Sequence, residues 1–428
     1  MSSYRLSTSG QHAAAIAQIL KQQALLSKTQ VQVASGKRVQ TPADDPVAAT
    51  RILGIERAQA QLEQYGKNAG IAADRLNLGE QSLADLGTLL QRVQELTIQA
   101  NSGAMDNVSL RSIATELKSR REELQQIANR QDGNGEYLFA GYSTSTRPFD
   151  DAGAGVVYFG DQGVRQLQIS SSQKIADGFA GARVFMDIPE GNGTFVVTSG
   201  TQTGTGIIGV SQVLDATQWN AAGAAAAAAV PPRAHEYTVR FTDPDLDGTA
   251  DSWELLDANG NPVLDNGAPP TPVTGAFTNG GAIAFDGVQF AISGTPAVGD
   301  TFEVRPAGNE SLFQTLDDLV AALYRGADTP QQRAQLGSDV NKALGQLDRG
   351  LNHMIDLRTE IGARLSSLDT AASLREDLDF QLTGSLSSVR DLDFAEAISR
   401  LNQQMTGLQA AQAAYTRIGQ MSLFDYLR

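Results

Sequence analysis

Apolar positions recur with helical spacing at both ends of this chain and with strand spacing in its middle. Near the C-terminus, Phe394, Ile398, Leu401, Met405, Leu408, Ala411, Tyr415 and Ile418 advance in steps of three and four, a seam close to the 3.5-residue coiled-coil period. Near the N-terminus, Leu6, Ala13, Ile16, Leu20, Ala24 and Val31 form a thinner stripe. Both stripes are narrow and Ala-rich, and Gln crowds the other faces in place of Glu/Lys pairs. Such helices gain little from local ion pairs or from a wide buried face. They depend on packing partners, because tertiary contacts supply most of a helix's stability.

The inner helices are sturdier. Leu83, Leu86, Leu90 and Val93 make one stripe, and Leu110, Ile113, Leu117, Leu124 and Ile127 another. Val340, Leu344, Leu347, Leu351, Met354, Ile361, Leu365 and Leu368 make a long seam. In TPADDPVAATRIL, Asp45 is expected to cap a helix whose first turn holds Pro46. Helices from the two ends should therefore pack into an elongated bundle, with the middle region inserted at one end.

That middle region reads as all-β. Its expected strands are VVYFG (156–160), RQLQI (165–169), RVFMDI (183–188), TFVV (194–197), EYTVRFT (236–242), WELLD (253–257), IAFDGVQFAI (283–292) and TFEVRP (301–306). The segment NAAGAAAAAAVPP (220–232), a short helix or a linker ended by Pro231 and Pro232, is expected to divide two β subdomains. The fold class is thus α+β: an N-terminal arm (1–43), a helical rod (44–141 and 311–389), β subdomains (142–219 and 233–310) and a C-terminal arm (390–428). Both arms are expected to be assembly-dependent.

Charge and composition narrow the function. The net charge of −15 argues against nucleic acid as the main partner. It is concentrated between Tyr142 and Glu310, where 19 acidic side chains face 7 basic ones, whereas the first 43 residues hold no acid. The chain contains no cysteine, so disulfides, thiol catalysis and zinc–thiolate sites are excluded. No run reaches the roughly 20 apolar residues of a membrane span, so membrane insertion is not expected. HAAAIAQIL is too short and too polar for a cleaved leader, so any export should proceed without one.

One stretch suggests metal chemistry. DPDLDGTADSWE (243–254) fits every specified position of the calcium-loop template D-x-[DN]-x-[DN]-G-x₅-E. Asp243, Asp245, Asp247, Asp251 and Glu254, with the Thr249 carbonyl, could surround one hard cation. The loop is flanked by strand-like runs and not helices, so a sensor that works by moving two helices is excluded. Turn chemistry explains the composition equally well, and a structural calcium ion is the sole cofactor in view. His12, His235 and His353 share no metal-ligand spacing and are expected at solvated surface positions. SGKR (35–38) lacks the P-loop glycines, GNGEYLFAG offers turns and not a dinucleotide loop, and G-x-S-x-G does not occur. Catalysis is not expected.

Four stretches carry a resemblance: LSKTQVQVASGKRVQTPADDPVAATRIL (26–53), RQDGNGEYLFAGYSTSTRPF (130–149), IGARLSSLD (361–369) and LQAAQAAYTRIGQMSLFDYL (408–427). With the all-α ends, the acidic β insertion and the absence of Cys, the chain resembles bacterial flagellar axial proteins, and within that flagellin-like family the hook-associated proteins of the hook–filament junction. The resemblance covers roughly 1–149 and 311–428. It implies a structural part secreted by type III export with an uncleaved signal. It also implies four partners: the first hook-associated protein, flagellin, further copies in a ring and an export chaperone. The family's terminal segments order on assembly, which agrees with the thin stripes. Two alternatives stand beside it: flagellin itself, and a calcium-stabilised extracellular binding module built on the β region.

Overall fold

The computed structural model describes residues 8–102, 105–153, 155–265 and 269–425, with side chains described for residues 12–417 within those spans. Its helices are α1 (Thr8–Ser35), α2 (Pro46–Ala100), α3 (Asn107–Ala128), α4 (Gly181–Phe185), α5 (Ala216–Ala228), α6 (Leu312–Arg325), α7 (Pro330–Arg390) and α8 (Phe394–Asp425). Short antiparallel strands occupy the middle, so the class is α+β. The chain divides into two compact units. One holds Gly70–Gln168 and Ser172–Leu368; the other holds the chain up to Ala69 and from Asp369 onward, with Ile169–Ser171.

In the unit that holds the β region, α2 and α7 run antiparallel. Glu80 meets Arg358 at 2.7 Å, Gly79 faces Ile361, and Gly350 lies against Leu90. The inward positions of both helices follow a strict three–four alternation. On α2 they are Ala72, Leu76, Gly79, Leu83, Leu86, Leu90, Val93, Thr97 and Ala100; on α7 they are Leu336, Val340, Ala343, Leu347, Gly350, Met354, Leu357, Ile361, Arg364 and Leu368. All are buried except Gly79 and Arg364. Five of the eight residues of the expected α7 stripe sit here, but Leu344, Leu351 and Leu365 lie one residue out of step and are only half-buried. Small residues complete the seam: Ala72, Gly79 and Gly350 let the backbones approach where a leucine would force them apart. Arg364 breaks the apolar pattern for a reason. Its guanidinium covers the Phe179 ring at 4.5 Å and donates to the Gly178 carbonyl at 3.0 Å.

The β region forms two facing sheets over one core. The larger runs in the order Thr274–Ala276, Ser252–Asp257, Tyr237–Thr242, Thr301–Pro306, Phe195–Ser199; the smaller joins Ala282–Phe285, Val288–Ser293 and Ile207–Val213. Phe195, Val239, Phe241, Val288, Phe290, Ile292, Phe302 and Val304 fill the space between them.

Four sequence expectations change here. The segment 220–232 does not divide two subdomains, since Phe195–Ser199 before it pairs with Thr301–Pro306 after it. Most of it lies in α5, which buries Trp219 in the shared core. IAFDGVQFAI is not one strand but a hairpin, turned by Asp286 (φ 44°) and Gly287 (φ 79°). A Cβ on Gly287 would lie 2.2 Å from the Asp215 carbonyl oxygen, so only glycine fits there. RVFMDI begins as the helical turn α4, because Val184 and Phe185 are both buried and consecutive strand residues would face opposite sides. Finally, Ile207–Val213 was not anticipated; Gly209, Ser211 and Gln212 blur its alternation.

The three histidines also depart from expectation. Each is partly buried against a neighbour: His12 meets Tyr415 edge-on at 5.7 Å, and the His353 Nε2–H donates to the Arg183 carbonyl at 2.7 Å. The His235 ring stacks on Trp219 at 4.0 Å, and its Nε2 is buried without a hydrogen-bond partner. Burial holds the His235 imidazole below its ordinary value of 6.5, against the opposing pull of Asp286. The sign follows: the unfolded chain takes up the proton first, so this contribution to stability is complete above 6.5 and is lost as pH falls toward the folded-state value. We expect the urea midpoint to drop between about pH 7.5 and about pH 5 and this step to flatten in His235→Phe; an unchanged step would assign it to other groups.

Candidate assembly surface

α1 and α8 lie in the same unit and pack antiparallel, with His12 opposite Tyr415 at one end and Gly36 against Phe394 at the other. The contact face of α1 is His12, Ala15, Ile19, Gln22, Leu26, Thr29 and Val33, again in alternating steps of three and four. On α8 it is Ala397, Leu401, Gln404, Leu408, Ala411 and Tyr415. Among the described side chains of these helices only Thr29, Gln32 and Ala397 are buried outright, so the pair is thinly sealed there.

The expected stripes divide over two faces. Leu401, Leu408, Ala411 and Tyr415 lie in the contact. Ala13, Ile16, Leu20, Ala24 and Val31 do not: all are exposed, Ile16 by 45%, Leu20 by 58% and Val31 by 49%. Phe394, Ile398 and Met405 are exposed as well. Leu6 lies outside the described residues, and the Ile418 side chain outside the described side chains. Sequence reasoning found one stripe on each helix where there are two, and it missed Ala15, Ile19, Leu26, Val33, Ala397 and Gln404.

The two exposed stripes share one side of the pair. Ala13, Ile16, Leu20, Ile398 and Met405 each follow a contact residue by one position, which turns them about 100° around their helices. In an antiparallel pair, equal one-residue advances rotate both stripes toward the same side. The result is an apolar strip along α1 and α8, interrupted on the same side by Gln23, Ser27, Gln30, Asn402 and Gln409 and left uncovered among the described residues.

The SGKR…DDP stretch fixes the base of this pair. Gly36 takes φ 68°, open to glycine at little cost, and its carbonyl accepts the Leu392 N–H at 2.9 Å. The Arg38 N–H donates to the Arg390 carbonyl at 2.7 Å, and its guanidinium to the Val389 carbonyl at 2.8 Å. Lys28 meets Asp44 at 2.7 Å; with the Thr41 and Gln40 N–H groups it holds the Asp44 carboxyl far below the ordinary carboxylate range. Asp45 Oδ1 accepts the Ala48 N–H at 3.0 Å, the cap expected of it. Val39, Ala48 and Val389 close a small core beneath. SGKR is therefore a joint between helices.

The 243–254 loop spans the hairpin between Tyr237–Thr242 and Ser252–Asp257. The carboxylates of Asp243, Asp245 and Asp247 gather within 4.8 Å of one another. The Asp243 carboxyl facing it raises that of Asp245 above the ordinary range. Glu254 is not with them: it lies in strand register with Arg240, which binds its carboxylate at 2.5 Å, so it cannot supply the closing bidentate ligand. Thr249 donates to Asp247 through its N–H and hydroxyl, and the Asp251 carbonyl is taken by the Phe277 N–H. The full six-residue set is not assembled; a three-carboxylate group is.

Paired terminal helices enclosing an antiparallel β insertion define a flagellin-like axial protein. The bacterial flagellin N-terminal helical region matches residues 6–144 and the C-terminal helical region residues 344–427. The crystal structure of FlgL from Xanthomonas campestris is 34% identical, covers 78% of this chain and 99% of its own, and superposes with a TM-score of 0.67. The flagellar hook-associated protein-3 of Legionella pneumophila superposes at 0.71, with 27% identity over 79% of this chain and 98% of that one. Flagellar hook-associated protein 3 of Salmonella typhimurium is 26% identical over 99% of this chain and 100% of its own length. Flagellin of Escherichia coli, by contrast, matches over only 28% of the chain. The chain belongs to the flagellar hook-associated protein 3 (FlgL) family. It is a structural component of the bacterial flagellum. Among the described residues no helix is long and apolar enough to cross a membrane.

Proposed function

We propose that the chain joins hook to filament by packing its α1–α8 pair laterally against further copies, with the first hook-associated protein below and flagellin above, where it templates flagellin polymerisation. The observation that carries this reading is the uncovered apolar strip formed by Ala13, Ile16, Leu20, Ile398 and Met405. A stable monomer has no use for such a strip on a helix pair whose other seam is already weak. Ordering these arms costs conformational entropy that one thin contact offsets only partly; lateral burial in a ring supplies the rest. Export proceeds in the unfolded state without a cleaved signal, with a chaperone covering the C-terminal arm until assembly. Hooks capped with the first hook-associated protein provide the test. Added chain should permit flagellin growth without itself extending; growth of long filaments from this chain alone would instead make it a filament subunit.

A weak divalent-cation site at Asp243, Asp245 and Asp247 belongs to the same proposal as a minor structural feature. Three clustered carboxylates without a bidentate closing ligand place it in the millimolar range of extracellular modules, roughly 10⁻⁴–10⁻³ M. Calorimetric titration with calcium should give heat that Asp245→Ala removes and Glu254→Ala leaves in place; heat equal in wild type and Asp245→Ala would reduce the loop to a turn.

A further inference from the structure

Gln404 occupies a contact position of α8, between Leu401 and Leu408, where the three–four alternation calls for an apolar residue. Its Oε1 is buried and has no hydrogen-bond partner. Two buried polar side chains further along α1 are differently placed: Thr29 Oγ1 donates to the Leu25 carbonyl at 3.1 Å, and Gln32 Nε2 to the Arg38 carbonyl at 2.7 Å. Gln404 alone of these three leaves an acceptor unpaired in the seam, which weakens the α1–α8 contact compared with a leucine there.

We propose that Gln404 is a brake on premature self-association, acting through the strength of the α1–α8 pair; this rests on the lateral-packing reading above. A chain whose arms are ordered in advance presents the Leu20–Ile398 strip preformed. It would bind a second copy without the ordering cost that otherwise opposes association in free solution. Gln404 keeps that cost in place. Burial against several neighbours, available only on the hook, then overcomes it. The occupant of the strip is another copy of this chain, and Gln404 sets the concentration at which that contact forms.

The test uses the full chain. In Gln404→Leu, amide protection across 12–33 and 397–415 should rise about ten- to a hundredfold, and sedimentation should detect oligomers at a concentration at least about tenfold below wild type. Adding Leu20→Asp should return the double variant to a monomer while the raised protection persists. Protection unchanged in Gln404→Leu overturns the role given to Gln404, as does raised protection with no shift in association. Association that survives Leu20→Asp would instead overturn the packing reading, because the copies would then be meeting through another face.

Discussion

Arg75→Ala is expected to lower the stability of the free chain by about 3–5 kcal/mol, the range for removing one partner from a buried ion pair. Arg75 is 8% exposed and ties α2 to the turn that precedes the β region. Its guanidinium reaches Glu136 at 3.2 Å, Asp132 at 3.3 Å and the Tyr137 carbonyl at 2.9 Å, and its Nε lies 3.9 Å from Asp177. Asp177 is only 2% exposed and would retain Arg165, at 2.6 Å, as its one cationic partner. The DGNGEYLF segment (132–139) thus docks two acids and one carbonyl on a single helical arginine. Arg75→Lys should recover less than half the loss, because a compact ammonium cannot span so many acceptors. Urea denaturation checks both variants. A deficit below about 1 kcal/mol for Arg75→Ala would mean that the network is solvated enough to be dispensable.

Leu20→Asp should do the reverse: leave the free chain's melting within about 0.5 kcal/mol and abolish junction assembly. Leu20 is exposed and faces away from α8, so the free molecule loses no buried contact. In an assembled ring the new carboxylate would sit in apolar surroundings. Burial without a partner costs at least about 3 kcal/mol, more than a hundredfold in association at each contact. Counting filaments on hooks supplied with the variant measures the effect; normal filament numbers would remove the strip from the interface. Leu408→Asp makes a useful comparison. Leu408 lies in the α1–α8 contact, so this change should also reduce the protection of the arms in the free chain.

How far the sequence revealed this molecule can be followed residue by residue. The start of α2 was legible because Asp45 and Pro46 carry local chemistry that acts over one turn. The inner stripes were legible wherever the contact uses Leu, Ile or Met. They faded where it uses Ala72, Gly79 and Gly350, since small residues that admit a neighbouring backbone look the same as surface residues. On α1 the difficulty was a surplus of signal. Two apolar faces, one residue apart in phase, offered the Leu20 stripe or the Ile19 stripe, and no periodicity tells which face meets α8. In the β region the hairpin signal was present as Asp286-Gly287 inside IAFDGVQFAI, but alternation continued across the turn and concealed it. The pairing of Phe195–Ser199 with Thr301–Pro306 was beyond reach, because a sheet contact spanning about a hundred residues leaves no trace in local pattern. For the acidic loop, residue identity matched a calcium template in full. Geometry then removed Glu254, whose strand position commits it to Arg240.

Amide hydrogen exchange on the free chain and on reconstituted junctions tests the central claim most directly. The account predicts that 12–33 and 397–415 exchange at least about a hundredfold faster than 72–100 and 340–368 in the free chain, and slow to match them after assembly. Arms as well protected in the isolated molecule as the inner helices would contradict it.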